Sequence, residues 1–287
     1  MNKIYWIASY PKSGNTWIRV FLTNYLDEAD QPADINHLKG GPIASDREVF
    51  DRWAGVEASD LSAEDIASMR PDVYRQMAQH IDHPLYLKVH DACTRNSEGD
   101  LLFPPDITGG VVYIIRNPLD VAVSYAHHGG RAVNQVVDDL CEPDGHVYEN
   151  RERIGRQLPQ RLLSWSGHVL SWLDESGMPV TVVRYEDMLA QPAVEFVRVV
   201  RALDLDLDAP RLSRAVAFSR FASIQEQEQK AGFKEKHMRA DALFFREGRA
   251  GSWRSGLAPE LAHRVISTHG DVMRRFGYLD EKNQPVF

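Results

Sequence analysis

The chain has 287 residues, 43% hydrophobic and 26% charged, with a formal net charge of −8 at pH 7. That length suits one large α/β domain or two modest ones, and the composition is that of a globular protein able to bury a sizeable core. The acidic balance argues against nucleic acid or an anionic membrane as main partner, so an anionic ligand would need a local positive pocket.

Taken in chain order, Ile4–Tyr10 (IYWIASY) reads as a buried strand, and Pro11 and Lys12 end the run long before a signal segment or membrane span is complete. Asn15–Leu26 follows as a helix with Trp17, Val20 and Phe21 on one face. Residues 36–59 are mixed, with a Gly40–Gly41–Pro42 break, and Ser62–His80 is a longer helical pattern. Leu85–Val89 (LYLKV) and Val111–Ile115 (VVYII) are the next short apolar strands, and Leu119–His128 is a helix opened by Pro118. Residues 129–156 are polar and glycine-broken, Leu158–Glu175 carries a helical stripe, and Val180–Arg184 (VTVVR) is a fourth strand. Residues 225–251 are strongly charged and punctuated by glycine.

Strand alternating with helix predicts a doubly wound parallel sheet in three α/β/α layers. A single domain over residues 1–287 is expected, with inserted loops at 36–59 and 129–156 on the acceptor side and a cofactor lid at about 225–251. Cys93 and Cys141 are the only cysteines. They make neither a disulfide framework nor a zinc motif, and a reducing, cytoplasmic location is expected. No stretch approaches the 18 uninterrupted apolar residues that a membrane helix needs.

In an open parallel sheet, ligands bind beyond the carboxyl ends of the strands. Here those ends carry Lys12-Ser13-Gly14, Lys88-Val89-His90, Arg116-Asn117 and Arg184-Tyr185. A strand, a short loop with serine and glycine, and then a helix form the physical recipe for a phosphate site. The loop is not a Walker A sequence, which weighs against a P-loop kinase or NTPase. Taken singly, Lys12 reads more readily as a solvated turn residue, His90 as a satisfied structural imidazole and Trp17 as core, while Arg116 reads equally as half of an ion pair.

YPKSGNTW at Tyr10–Trp17 resembles the 5′-phosphosulfate loop of the cytosolic-type sulfotransferases, whose usual form is YPKSGTTW. VYIIRNPLDVAVSY at Val112–Tyr125 is similar to that family's 3′-phosphate motif. LKVH at Leu87–His90, RYEDM at Arg184–Met188 and FFREGRAGSW at Phe244–Trp253 match further elements, in family order. The resemblance implies a donor, 3′-phosphoadenosine 5′-phosphosulfate (PAPS), giving PAP as product without a required metal. It implies His90 as general base, with Lys12 and Lys88 neutralising charge on the transferring group.

On the same resemblance, Lys12, Ser13, Gly14, Asn15 and Thr16 form the phosphosulfate loop. Arg116 and Ser124 hold the 3′-phosphate, with Arg246, Glu247 and Gly248 closing over it. Trp17 and Phe221 sandwich the adenine beside Tyr185 and Ser219. Two departures stand out: Asn15 replaces the usual threonine, and Glu247 replaces a cation next to the 3′-phosphate. A non-catalytic PAPS or PAP sensor is the alternative from another class, and retention of His90, Lys88 and Lys12 weighs against it. The acceptor is expected to be a small metabolite or natural-product alcohol, phenol or amine, as the YPKSGNTW form resembles bacterial members. Phe50, Trp53, Phe103 and Tyr148 are candidates for an apolar acceptor pocket or for ordinary core. The family's dimerisation signature is not recognisable in Leu261–Tyr278, so no oligomeric state follows.

Overall fold

Ile4–Ser9 (β1) is buried at every position, which a strand achieves only when both of its faces are covered. Its side chains divide by parity. Ile4, Trp6 and Ala8 pack into one apolar cluster, and Tyr5 and Ile7 into another. The structure, a computed structural model, describes residues 3–148, 155–236 and 243–287. Leu85–Val89 (β2), Thr108–Ile115 (β3) and Val180–Arg184 (β6) join β1 in one parallel sheet of order β2-β1-β3-β6. His146–Val147 (β4) and Gln160–Arg161 (β5) pair antiparallel as a separate ribbon. The chain steps from β1 to one side and then to the other, so the strand order reverses around β1. Its carboxyl end is therefore the position where such sheets open a crevice.

The helices follow in chain order. They are α1 (Asn15–Asp27), α2 (Arg47–Ala54), α3 (Ala63–His80), α4 (Pro118–Gly129), α5 (Val133–Cys141) and α6 (Trp165–Leu170). After β6 come α7 (Tyr185–Ala190), α8 (Pro192–Ala202), α9 (Ala209–Phe218), α10 (Phe221–Ala231), α11 (Trp253–Gly256) and α12 (Pro259–Arg275). Tyr74 of α3, Leu119 of α4, Trp165 of α6 and Val265 of α12 cover one face of the sheet. Phe21 of α1, Phe196 of α8 and Ala215 of α9 cover the other. The result is the three-layer α/β/α arrangement. Trp6 packs edge-on to Tyr74 at 5.2 Å between ring centroids, with Phe103 at 4.9 Å. Burying each such side chain contributes about 1.5–3 kcal/mol or more.

The sheet strands lie where the apolar runs place them, and the differences have local causes. β3 begins three residues before Val111, through Gly109 and Gly110. A Cβ on Gly110 would lie 2.4 Å from the Ala202 carbonyl oxygen, so the close approach of α8 requires glycine there. The helix expected over Leu158–Glu175 starts only at Trp165, where Ser164 Oγ accepts from the Gly167 N–H at 3.1 Å. Upstream, Pro159 and the left-handed Leu163 (φ 60°) exclude it, and a five-residue π-turn, Ser171–Glu175, finishes it. The polar stretch 129–156 contains α5, and its residues 149–154 lie outside those described. Of the candidate acceptor aromatics, Phe50 and Phe103 are buried core and Trp53 packs against that core. No helix among the described residues is long and apolar enough to cross a membrane.

Candidate active site

The carboxyl ends of β1, β2 and β3 open into a cavity of about 1000 Å³. After β1 the chain turns through Lys12, held at φ 68°, and Gly14, at φ 110°, and enters α1. A Cβ on Gly14 would sit 2.8 Å from the Tyr185 ring, so both its dihedral and its surroundings demand glycine. No side chain caps α1, and its first-turn N–H groups face the loop as the positive end of a thirteen-residue helix. Ser13 Oγ is buried without a hydrogen-bond partner among the described residues. The uncapped start of α1, with its backbone N–H groups at the cavity, fits the loop to a phosphate or phosphosulfate group. Asn15 behaves differently from the expected phosphate donor: its Nδ2 donates inward to the Ile7 carbonyl at 2.7 Å and to Ser9 Oγ at 3.3 Å.

His90 stands one residue beyond β2. Its Nδ1 lies 2.9 Å from the Ser9 carbonyl oxygen. A carbonyl can only accept, so Nδ1 carries the proton and Nε2 keeps its lone pair. A buried relay supports the backbone behind it: Tyr113 Oη donates to His168 Nδ1 at 2.8 Å, and His168 Nε2 donates to the His90 carbonyl at 3.0 Å. Burial, followed by the nearby Lys88 ammonium, holds the His90 pKa well below the usual imidazole value. The ring is therefore neutral and available as a base at physiological pH. The neighbouring residue is fixed as firmly, since Asp91 and Arg70 form an ion pair of 2.6 Å with both side chains almost fully buried.

Lys12, Lys88 and Arg116 line the same cavity. Lys12 Nζ sits 3.5 Å over the ring of Phe244, and burial, then Lys88, then Arg116, bring its pKa down to about 7. Lys88 Nζ binds Glu235 at 2.9 Å, and Arg19 binds the other oxygen of that carboxylate at 2.6 Å. Arg116 donates to the Lys12 carbonyl at 3.0 Å and stacks 4.3 Å from the Tyr185 ring, leaving its buried Nε without a partner among the described residues. Ser124, two turns into α4, faces the cavity with it.

The far wall is the segment Phe244–Trp253, strung between two carboxylates. Glu228 of α10 accepts from the N–H groups of Phe244 and Phe245 at 2.6 and 2.8 Å, and Gln225 donates to the Phe245 and Arg246 carbonyls. Asp120 of α4 accepts from the Gly251 and Trp253 N–H groups at 2.8 and 2.9 Å. Between them Gly248 lies against Phe221, so closely that a Cβ would fall 2.3 Å from the ring. Glu247 binds Arg246 at 3.1 Å and Arg249 at 2.8 Å, occupying both cations in its own subsite.

Of the residues singled out from sequence, the structure turns two away from the cavity. Ser13 is covered by the loop, and Ser219 spends its hydroxyl on the Ala215 carbonyl at 2.7 Å while its carbonyl receives Trp17 Nε1 at 2.8 Å. The others, including Trp17, Phe221, Tyr185, Arg246, Glu247 and Gly248, line it. Arg19, Glu235, Glu228 and Gln225 carry no sequence signal of their own, because each acts through a distant partner.

A parallel sheet with an anion loop, a neutral imidazole and converging cations at one crevice defines a group-transfer enzyme acting on an anionic donor. The sulfotransferase domain matches residues 3–277, and the chain belongs to that family. It is a PAPS-dependent sulfotransferase. Sulfotransferase 1C2 of Oryctolagus cuniculus is 25% identical over 272 residues, covering 90% of this chain and 79% of its own length. The mouse sulfotransferase SULT7A1 complexed with PAP superposes with a TM-score of 0.56 at 17% identity, covering 95% of this chain and 85% of that one. Retinol dehydratase in complex with androsterone and inactive cofactor PAP gives 0.59 at 17% identity, covering 94% and 80%.

Proposed function

We propose that His90 Nε2 removes the proton from an acceptor hydroxyl while Lys12 and Lys88 carry the charge of the sulfuryl group leaving PAPS. The observation that carries this reading is the His90 tautomer, fixed by the Ser9 carbonyl, beside two lysines at one cavity. A neutral imidazole of depressed pKa accepts the proton as the oxygen–sulfur bond forms. Lys12 neutralises the phosphate that departs, and Lys88 the sulfuryl oxygens. The N–H groups at the start of α1 bind the 5′-phosphate. Arg116 and Ser124 bind the 3′-phosphate, with Arg246 and the Gly248 backbone on the opposite wall. Trp17 and Phe221 cover the adenine.

The acceptor is a small hydroxyl compound of polar character. Of the four candidate aromatics only Tyr148 reaches the cavity, and Asp46, Arg131, Gln157 and Gln160 line it nearby. Gln160 Oε1 is buried without a partner among the described residues, a group that an acceptor hydroxyl satisfies. We assign the reaction to the cytoplasm, a reading supported by the two free cysteines.

Calorimetry with PAP and 5′-AMP tests the donor assignment. Loss of the 3′-phosphate removes charge-assisted contacts worth about 1.5–3 kcal/mol, so PAP binds roughly 10- to 150-fold tighter. Equal affinities would remove Arg116 and Ser124 from the site.

A further inference from the structure

We propose that Glu235 is a positioning residue for sulfuryl transfer, its carboxylate fixing the Lys88 ammonium beside His90 and tying it to Arg19 on α1. The inference rests on the reading of Lys88 given above. Each carboxylate oxygen serves one cation, Oε2 taking Lys88 at 2.9 Å and Oε1 taking Arg19 at 2.6 Å. The side chains are 31%, 16% and 6% exposed for Glu235, Lys88 and Arg19, so this is a largely buried triad on the cavity wall. Three separate elements meet in it: β2, α1 and the turn that follows α10.

Two of the three members, Glu235 and Arg19, are held independently of the triad. The turn is fixed by Asn36, whose Nδ2 donates to the Gly232 carbonyl at 3.1 Å and whose Oδ1 accepts from the Lys234 N–H at 2.8 Å. Arg19 is confined by Gly40, where a Cβ would meet its side chain at 3.0 Å. Lys88 has a backbone fixed in the sheet but a flexible four-carbon stem, and only a charged partner gives its ammonium one position.

The need for that partner is electrostatic. Among the described residues, Lys88 is faced by Arg19, Lys12, His90 and Glu235, and Glu235 is the one carboxylate in that set. Burial lowers the Lys88 pKa, and Glu235 opposes it. Burial works to raise the Glu235 carboxyl, yet Lys88 and Arg19 overcome it and hold it at about 2, so it stays ionised at any working pH. Replacing this carboxylate with an amide leaves a buried ammonium among cations, and such an ammonium gives up its proton.

The test uses the full-length protein bound to PAP, whose phosphates keep Lys12 charged. NMR titration of lysine side chains labelled with 13C and 15N, with the Lys88 signal assigned through Lys88→Met, reads the ammonium directly. Conversion of PAPS to PAP, with water as sulfuryl acceptor and sulfate as second product, reads the chemistry. Glu235→Gln is expected to move the Lys88 titration down by about 1 pH unit or more and to slow PAPS turnover by about tenfold. Glu235→Asp keeps the wild-type titration. An unmoved Lys88 titration in Glu235→Gln overturns the inference, and so does faster PAPS turnover, which would make the carboxylate a competitor of the donor. Should Glu235→Gln not fold, Arg19→Gln gives a reading of opposite sign: the Lys88 titration moves up, and one that stays or falls overturns the inference. Wild-type PAPS turnover in Lys88→Met would remove Lys88 from the reaction, a failure of the functional reading that the titration separates from this one.

Discussion

Lys12 holds the clearest single-residue consequence. Its pKa of about 7 means that much of it is neutral in the free enzyme above neutrality. Phosphates at the loop raise that pKa, so the binding contribution is complete below pH 7 and fades as pH rises through it. PAP binding at pH 8 should therefore take up close to one proton, and affinity should fall by up to about tenfold per unit above pH 7. Calorimetry in two buffers of different ionisation enthalpy measures the uptake, and Lys12→Met should abolish it. Identical heats for wild type in both buffers would contradict the assignment. Lys12, His90 and Arg116 were legible in the sequence because each closes an apolar strand run. Arg19 and Glu235 were not: they lie 216 residues apart, and no local pattern announces a pair of that separation.

At the scale of elements, the strand ends are held by buried polar contacts that hydrophobic periodicity does not encode. Arg70 of α3 fixes Asp91 directly after His90, and Trp172 Nε1 donates to the Asp91 carbonyl at 3.0 Å. Arg70→Ala leaves Asp91 buried and unpaired, and should destabilise the fold by about 3–5 kcal/mol in urea unfolding. A loss below about 1 kcal/mol would show that water reaches the pair. The four sheet strands could be read from short apolar runs, because a strand covered on both faces needs little else. The start of α6 could not, since the apolar stripe of Leu162 and Trp165 continues across a turn that Pro159, Leu163 and Ser164 break. α5 was hidden within a glycine-broken polar stretch, where turn chemistry at both ends outweighed its own short periodicity.

For the whole molecule, an acidic protein of net charge −8 gathers cations at one crevice, where a strand-order reversal and a helix N-terminus already favour anions. The segment Phe244–Trp253, which lines the crevice, hangs between Glu228 and Asp120. We propose that this segment belongs to the lid expected at 225–251, whose residues 237–242 lie outside those described. Hydrogen exchange should show peptides from Phe244 to Trp253 protected by PAP, while the β1 and β3 peptides, buried throughout, do not change. Unchanged exchange across Phe244–Trp253 would mean that the wall is already closed.

The central claim is that His90 takes the acceptor proton. Its most direct test is PAP release from PAPS, followed by mass spectrometry, for wild type and His90→Ala against a panel of polar hydroxyl acceptors. Loss of a positioned base costs about 10²–10⁴ in rate, so His90→Ala should fall by that factor on any acceptor that wild type sulfates, with PAP affinity nearly intact. Near wild-type turnover by His90→Ala would contradict the account.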